Sequence, residues 1–241
     1  MRIFLTFVLL VGTLGTGARA AEEAVDLELV LAVDVSSSVD RYEAALQREG
    51  YIAAISDPAV VQAIRSGPDG RIALIYLEWA GEFYQRAVVD WVVVEDQASA
   101  EEFSRVLADQ SISSVPSTSI SGALDFARKS IAGNRFQGRR AVVDISGDGQ
   151  NVSGRPAWAA RDEAIAAGIT INGLPIVFHR NPDGSGPSRG LSQYYRKFVI
   201  GGPGAFVIET SEYDSFKATL VAKLVREIRG EIAVSALKGQ H

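Results

Sequence analysis

Val33-Asp34-Val35-Ser36-Ser37-Ser38-Val39 decides how the 241-residue chain is read. An apolar run, Leu27 to Val33, leads into it and reads as a buried strand. Tyr42 to Ile55 follows and reads as a helix. In an extended segment residues i, i+2 and i+4 point the same way, so Asp34, Ser36 and Ser38 converge on one point. One carboxylate and two hydroxyls make a set of hard oxygen donors, which suits Mg²⁺, Mn²⁺ or Ca²⁺ rather than zinc. The same residue types also cap helices, so the stretch alone leaves metal binding and capping both open.

Upstream, Arg2 is followed by an apolar segment, Ile3 to Val11, and by the small-x-small sequence Ala18-Arg19-Ala20. That is the pattern of a secretory signal cleaved after Ala20, and the apolar stretch is too short to span a bilayer comfortably. The expected location is therefore secreted, in the periplasm, with no membrane span in the mature chain. Cysteine is absent, which excludes disulfides, thiolate metal sites and cysteine nucleophiles. Removing Arg2 and Arg19 leaves 22 basic residues against 29 acidic, a net charge of −7. With no block of Lys and Arg, nucleic acid is not an expected partner.

Downstream, apolar periodicity predicts strands over 71–80, 83–94, 140–146, 169–178 and 204–209. Helices are predicted over 98–108, 120–133, 157–167, 191–200 and 215–230, with a short helical piece opening at Asp57-Pro58. The 83–94 strand mixes Gln85, Arg86 and Asp90 with apolar residues, as an edge strand would. Apart from the early hairpin, strands and helices alternate. The predicted fold is α/β: a doubly wound, mostly parallel six-stranded sheet with one antiparallel edge strand and helices on both faces. The expected organisation is a signal at 1–20, a short mobile lead-in at 21–26, one domain at 27–230 and a tail at 231–241.

Ligands of open parallel sheets bind beyond the carboxyl ends of the strands, where the strand order reverses. Two acidic loops leave such ends here, one at Asp34 and one at Asp148 in Gly147-Asp148-Gly149-Gln150-Asn151. They become neighbours if the hairpin lies to one side of the first strand and the later strands to the other. A third cluster, Pro116-Ser117-Thr118-Ser119-Ile120-Ser121-Gly122-Ala123-Leu124, is a hydroxyl-rich loop entering a helix.

Together the three clusters resemble a von Willebrand factor A-type domain with its metal-ion-dependent adhesion site. The family's Asp-x-Ser-x-Ser, its Thr ahead of an Ala-Leu helix face and its later Asp-Gly fall on Asp34, Ser36, Ser38, Thr118 and Asp148. The stretch Asp144 to Gly149 is similar to secreted bacterial members of unknown function. The resemblance implies that Ser36 and Ser38 hold the ion directly and that Thr118 joins in some states. Asp34 and Asp148 would act directly or through water, and an acidic group of a partner protein or other macromolecule would complete the shell. Asp144 departs from the pattern, as an acid inside a strand where the family has an apolar residue. It reads as a charge paired with Arg139 or Arg140, or as a support to the site.

The competing reading is a Mg²⁺-dependent phosphatase of the haloacid dehalogenase type, with Asp34 as nucleophile. Its general acid, two residues on, is here Ser36, and no second acid follows Asp148 before Ser153. Proton delivery to the leaving group then has no donor. A serine hydrolase lacks both a Gly-x-Ser-x-Gly elbow and a placed histidine, since only His179 and His241 occur. A binding module rather than an enzyme is expected, with an A-type scaffold that has lost its metal as a further alternative. The loop from His179 to Gly190 leaves a strand on the expected metal face and is expected to shape partner choice.

Overall fold

The computed structural model describes residues 22–177, 190–211 and 215–230. The signal region, the tail and nearly all of the His179 to Gly190 loop lie outside the described residues. Among them, no helix is long and apolar enough to cross a membrane.

The centre is β2 (Leu27–Asp34), buried along its whole length. A strand buried on both faces needs no polar alternation, which explains the unbroken apolar run. It pairs in parallel with β3 (Ile72–Trp79) on one side and β6 (Ala141–Gly147) on the other. The antiparallel edge strand β4 (Gln85–Val94) closes one side and the parallel β7 (Ile169–Pro175) the other, giving the order β4-β3-β2-β6-β7. The hairpin thus lies to one side of β2 and the later strands to the other, as the sequence predicts, and the order reverses between β2 and β6.

Alternation along β2 sends Leu27, Leu29, Leu31 and Val33 into one core layer and Val30 and Ala32 into the other. The first layer is covered by α1 (Arg41–Ile55), α2 (Pro58–Arg65), α3 (Gln97–Ala108) and α7 (Phe216–Arg229). The second is covered by α4 (Ile120–Gly133), α5 (Ala157–Ala166) and α6 (Leu191–Phe198).

Three local expectations are corrected. Glu23–Val25, expected in a mobile lead-in, is a strand, β1, paired in parallel with β5 (Phe136–Gly138). Three residues are too few to show periodicity, and their partner lies more than a hundred residues away. The expected sixth strand joins the sheet only through isolated bridges, Gly173 to Val207 and Ile176 to Thr210. Gly202 and Gly204 ahead of it adopt positive φ, and Pro203 between them supplies no N–H. Asp144 pairs with neither Arg139 nor Arg140. Its partner is Lys223 of α7, whose Nζ lies 2.5 Å from Asp144 Oδ1 and 2.5 Å from Glu227 Oε1, with all three residues buried. Arg139 instead bonds Asp69, and Arg140 donates to the carbonyls of Glu227 and Ile228, closing the end of α7 beside Gly230.

Candidate metal centre

The register of the central strands sets the site. Val33 lies opposite Ser146 and Asp34 opposite Trp79, so Asp34 ends β2 beside Gly147, the last residue of β6. The chain turns after Asp34, whose Oδ1 accepts the N–H of Ser36 at 2.7 Å. Ser36 is held by Val115: Val115 N–H donates to Val35 O and Ser37 N–H to Val115 O, each at 3.0 Å. The loop before α4 is thereby laced to the loop after β2.

Ser36 Oγ lies 2.9 Å from Ser38 Oγ, and Ser38 Oγ donates to Asp148 Oδ1 at 2.8 Å. Three of the five predicted residues form this continuous run of oxygens, and Asp34 is joined to it through the Ser36 backbone. Thr118 closes the group from the other side. Its carbonyl accepts from Val152 and Ser153 N–H, which clips it to the Asp148 loop. Its Oγ1 is 3.7 Å from where a Cβ on Gly149 would sit. Thr118 is buried, whereas the neighbouring Ser117 is exposed, held at φ 77° and bonded to Ser153 Oγ. A serine in the left-handed region is strained by about 1 kcal/mol or more, and such strain persists only where the surroundings enforce it.

Helix capping takes none of these oxygens. The cap of α1 is Asp40, whose carboxylate accepts Glu43 N–H while Glu43 reaches back to Asp40 N–H. That capping box satisfies the helix end and leaves the Ser38 hydroxyl to Asp148.

Electrostatically the group is costly as it stands. Asp34 is almost wholly buried and its Oδ2 has no hydrogen-bond partner. Burial, and then the charge of Asp148, push its pKa up to about 8. Burial also raises Asp148, against the opposing bond from Ser38. Two buried carboxylates that each resist ionisation are in the condition a bound cation relieves. Among the described residues no three His, Cys, Asp or Glu gather anywhere, so a cation here would draw on hydroxyls as well as these acids. The donor set therefore fits a hard divalent ion.

Several residues that build this edge carry no sequence signal of their own. Tyr195 of α6 is buried with its Oη unpartnered, and the charge of Asp34 adds to burial in raising it. Asn151 accepts from Ser121 N–H and donates to the carbonyls of Ser153 and Arg155, so its sequon position serves the loop itself. Gly147 allows the closest approach: a Cβ there would stand 2.8 Å from Asp34 Oδ2 and 3.1 Å from Tyr195 Oη. Gly147→Ala is expected to cost about 1–3 kcal/mol through overpacking, read as a lowered urea midpoint. An unchanged midpoint would mean the edge has room that this geometry denies.

The sheet order and this hydroxyl-rich carboxyl edge define a von Willebrand factor A-type domain. The chain belongs to the family described as "Protein of unknown function (DUF1194)", whose model matches residues 24–232. No curated protein matches it. Among solved structures it is similar to proximal thread matrix protein 1 of the mussel byssus, with a zinc-occupied metal-ion-dependent adhesion motif. There the TM-score is 0.63 and the identity 15%, over 86% of this chain and 49% of that one. It is also similar to a von Willebrand factor type A protein of Catenulispora acidiphila, with TM-score 0.59 and identity 13%, covering 85% and 43%. A third similarity is to the conserved hypothetical protein BatB of Bacteroides thetaiotaomicron, with TM-score 0.51 and identity 18%, covering 85% and 100%. The chain thus spans about half the length of the byssus protein.

Proposed function

We propose that this protein is an exported, divalent-cation-dependent binding module that engages an acidic group of a partner protein. Ser36, Ser38 and Thr118 would hold Mg²⁺ or Mn²⁺, with Asp34 and Asp148 neutralising it directly or through water. The ion would supply an electrophilic point that two carboxylates and neutral hydroxyls leave unsaturated, and hence an attraction for one more anion. The observation that carries this reading is the run Ser36–Ser38–Asp148 beside the buried, unpartnered Asp34 Oδ2. The zinc-occupied motif of the byssus protein, on the same fold, supports it.

The test is thermal. A ligand at a hundred times its Kd stabilises the folded state by about 2.7 kcal/mol. For a domain of this size that is a rise in Tm of roughly 5–10 °C. Mg²⁺ or Mn²⁺ is expected to produce it, and Asp148→Ala to abolish it. No rise in the unaltered protein would leave an A-type scaffold without an ion. Turnover of p-nitrophenyl phosphate in the same samples, lost in Asp34→Asn, would point to the phosphatase reading instead.

A further inference from the structure

Among the described residues five large hydrophobic side chains are exposed, and all five lie at the carboxyl edge of the sheet. Phe83 is 93% exposed, Val152 72%, Tyr42 67%, Trp158 49% and Ile112 38%. Each sits on a segment that carries or braces the candidate ion site. Tyr42 is in the first turn of α1, four residues after Ser38. Ile112 and Thr118 belong to one loop, and Val152 follows Asp148, its N–H bonded to Thr118 O. Phe83 tips the β3–β4 turn, whose Ala80 carbonyl accepts Ser119 N–H at 2.7 Å. Tyr84 in the same turn donates to Ser113 Oγ at 2.6 Å, binding the tip to the Ile112 loop. Trp158 is in the first turn of α5, next to the Arg155 that is locked to Asp125 and Glu163.

Single exposed hydrophobics are ordinary on any protein surface. Five on one edge are not, because large exposed apolar groups gathered around a polar centre mark interaction surfaces. Between α1 and the Ile112 loop the same edge holds a groove of about 590 Å³ lined by Val35, Val39, Ala44 and Ile112. A groove of that size takes a large apolar side chain.

Resting on the ion reading above, we propose that this apolar rim docks a protein surface on which one Asp or Glu stands among aliphatic or aromatic side chains. The acid meets the ion, and a neighbouring apolar side chain enters the groove beside α1. Charge complementarity selects this occupant over the alternatives. The edge carries Asp34, Asp40, Asp148 and Glu82, so it repels anionic lipid outside the ion itself, while one carboxylate complements the ion. Aromatic anchors around a desolvated centre are also the usual bearers of protein–protein binding energy.

The test uses displayed, disulfide-constrained peptides with a fixed central Asp and randomised flanks, selected on the protein in Mn²⁺ and again in chelator. The expected result is enrichment in Mn²⁺ of peptides with Leu, Ile, Phe or Trp beside the Asp. Their affinity is expected to fall at least about tenfold in Phe83→Ser/Val152→Ser, whose Mn²⁺-dependent rise in Tm stays that of the unaltered protein. Enrichment without apolar flanks, or affinity indifferent to the double substitution, would overturn the rim while leaving the ion reading intact. Failure to enrich any peptide in Mn²⁺ over chelator would also overturn the rim. Absence of the Mn²⁺ thermal shift would instead remove the ion reading beneath it. Binding to phosphatidylglycerol vesicles, or concentration-dependent dimerisation, either one lost in the double variant, would replace the acidic protein partner with lipid or with a second copy.

Discussion

Lys223→Met is expected to destabilise the fold by about 3–5 kcal/mol, the cost of leaving buried charge without its counter-ion. The ammonium of Lys223 stands between Asp144 in the middle of β6 and Glu227 one turn along α7. Burial alone would lower the Lys223 pKa, but the charges of Asp144 and Glu227 outweigh it and raise it. Asn172 adds a bond from β7, its Nδ2 donating to Glu227 Oε1 at 2.9 Å. The cluster joins α7 to two strands, so its loss frees the last helix as well as exposing charge. Replacing Lys223, Asp144 and Glu227 together by apolar residues should return most of the lost stability, since a whole buried ionic group is often replaceable at little cost. Urea unfolding of both variants checks this. A loss below about 1 kcal/mol in Lys223→Met would mean that water reaches the cluster.

The same cluster predicts a pH dependence. Burial, and then the charge of Asp144, raise the Glu227 pKa from 4.5 to about 7. Asp144, also raised by burial, Lys223 and Tyr51 of α1 are the titratable neighbours that face it. The folded state therefore holds this proton more tightly than the unfolded chain. Its contribution to stability is fully present below about pH 4.5 and is lost as pH rises through about 7. Glu227→Gln, which imitates the protonated acid, is expected to flatten that part of the stability profile. A profile of unaltered slope would remove Glu227 as its source.

Arg48→Met is expected to cost a similar 3–5 kcal/mol, with a second effect on the ion site. Arg48 of α1 is buried and paired with the fully buried Glu78 of β3. Its other guanidinium nitrogen donates to Leu107 O at 3.0 Å and Gln110 O at 3.1 Å, and the group lies 5.2 Å from the Tyr76 ring centroid. It thereby ties together α1, which follows Ser38, the end of β3 beside Asp34, and the start of the loop that reaches Thr118. Arg48→Met/Glu78→Leu should recover most of the stability, because no charge is then stranded. It should not recover the ion-dependent rise in Tm in full, because the ties to Leu107 and Gln110 stay broken. If both variants responded to Mg²⁺ like the unaltered protein, the loop would be set by other contacts.

These two braces mark the limit of what the residues reveal in one dimension. Apolar periodicity exposes β2, the hairpin and the amphipathic helices because each signal is local. The arrival of Asp34, Ser36, Ser38, Thr118 and Asp148 at one edge is also legible, since strand order follows from the alternation of elements. Lys223 and Glu227, by contrast, sit in an ordinary amphipathic pattern. Nothing within α7 says that they face an acid in β6, and Asp144 looks toward the adjacent arginines when only its neighbours are considered. β1 and β5 fail for the same reason, being three residues each and meaningful only as a pair. Tyr195 and Gly147 matter to the site through space alone.

The small β1–β5 sheet has one more consequence. β1 runs directly into the amino end of β2, and α7 closes beside Arg140 at the amino end of β6. Both ends of the described domain therefore emerge at one pole, and the five oxygen-bearing residues occupy the other. The molecule has the layout of a socket on a cable. Whatever is attached at residue 22 or residue 230 leaves from the back, and the working face stays open to approach.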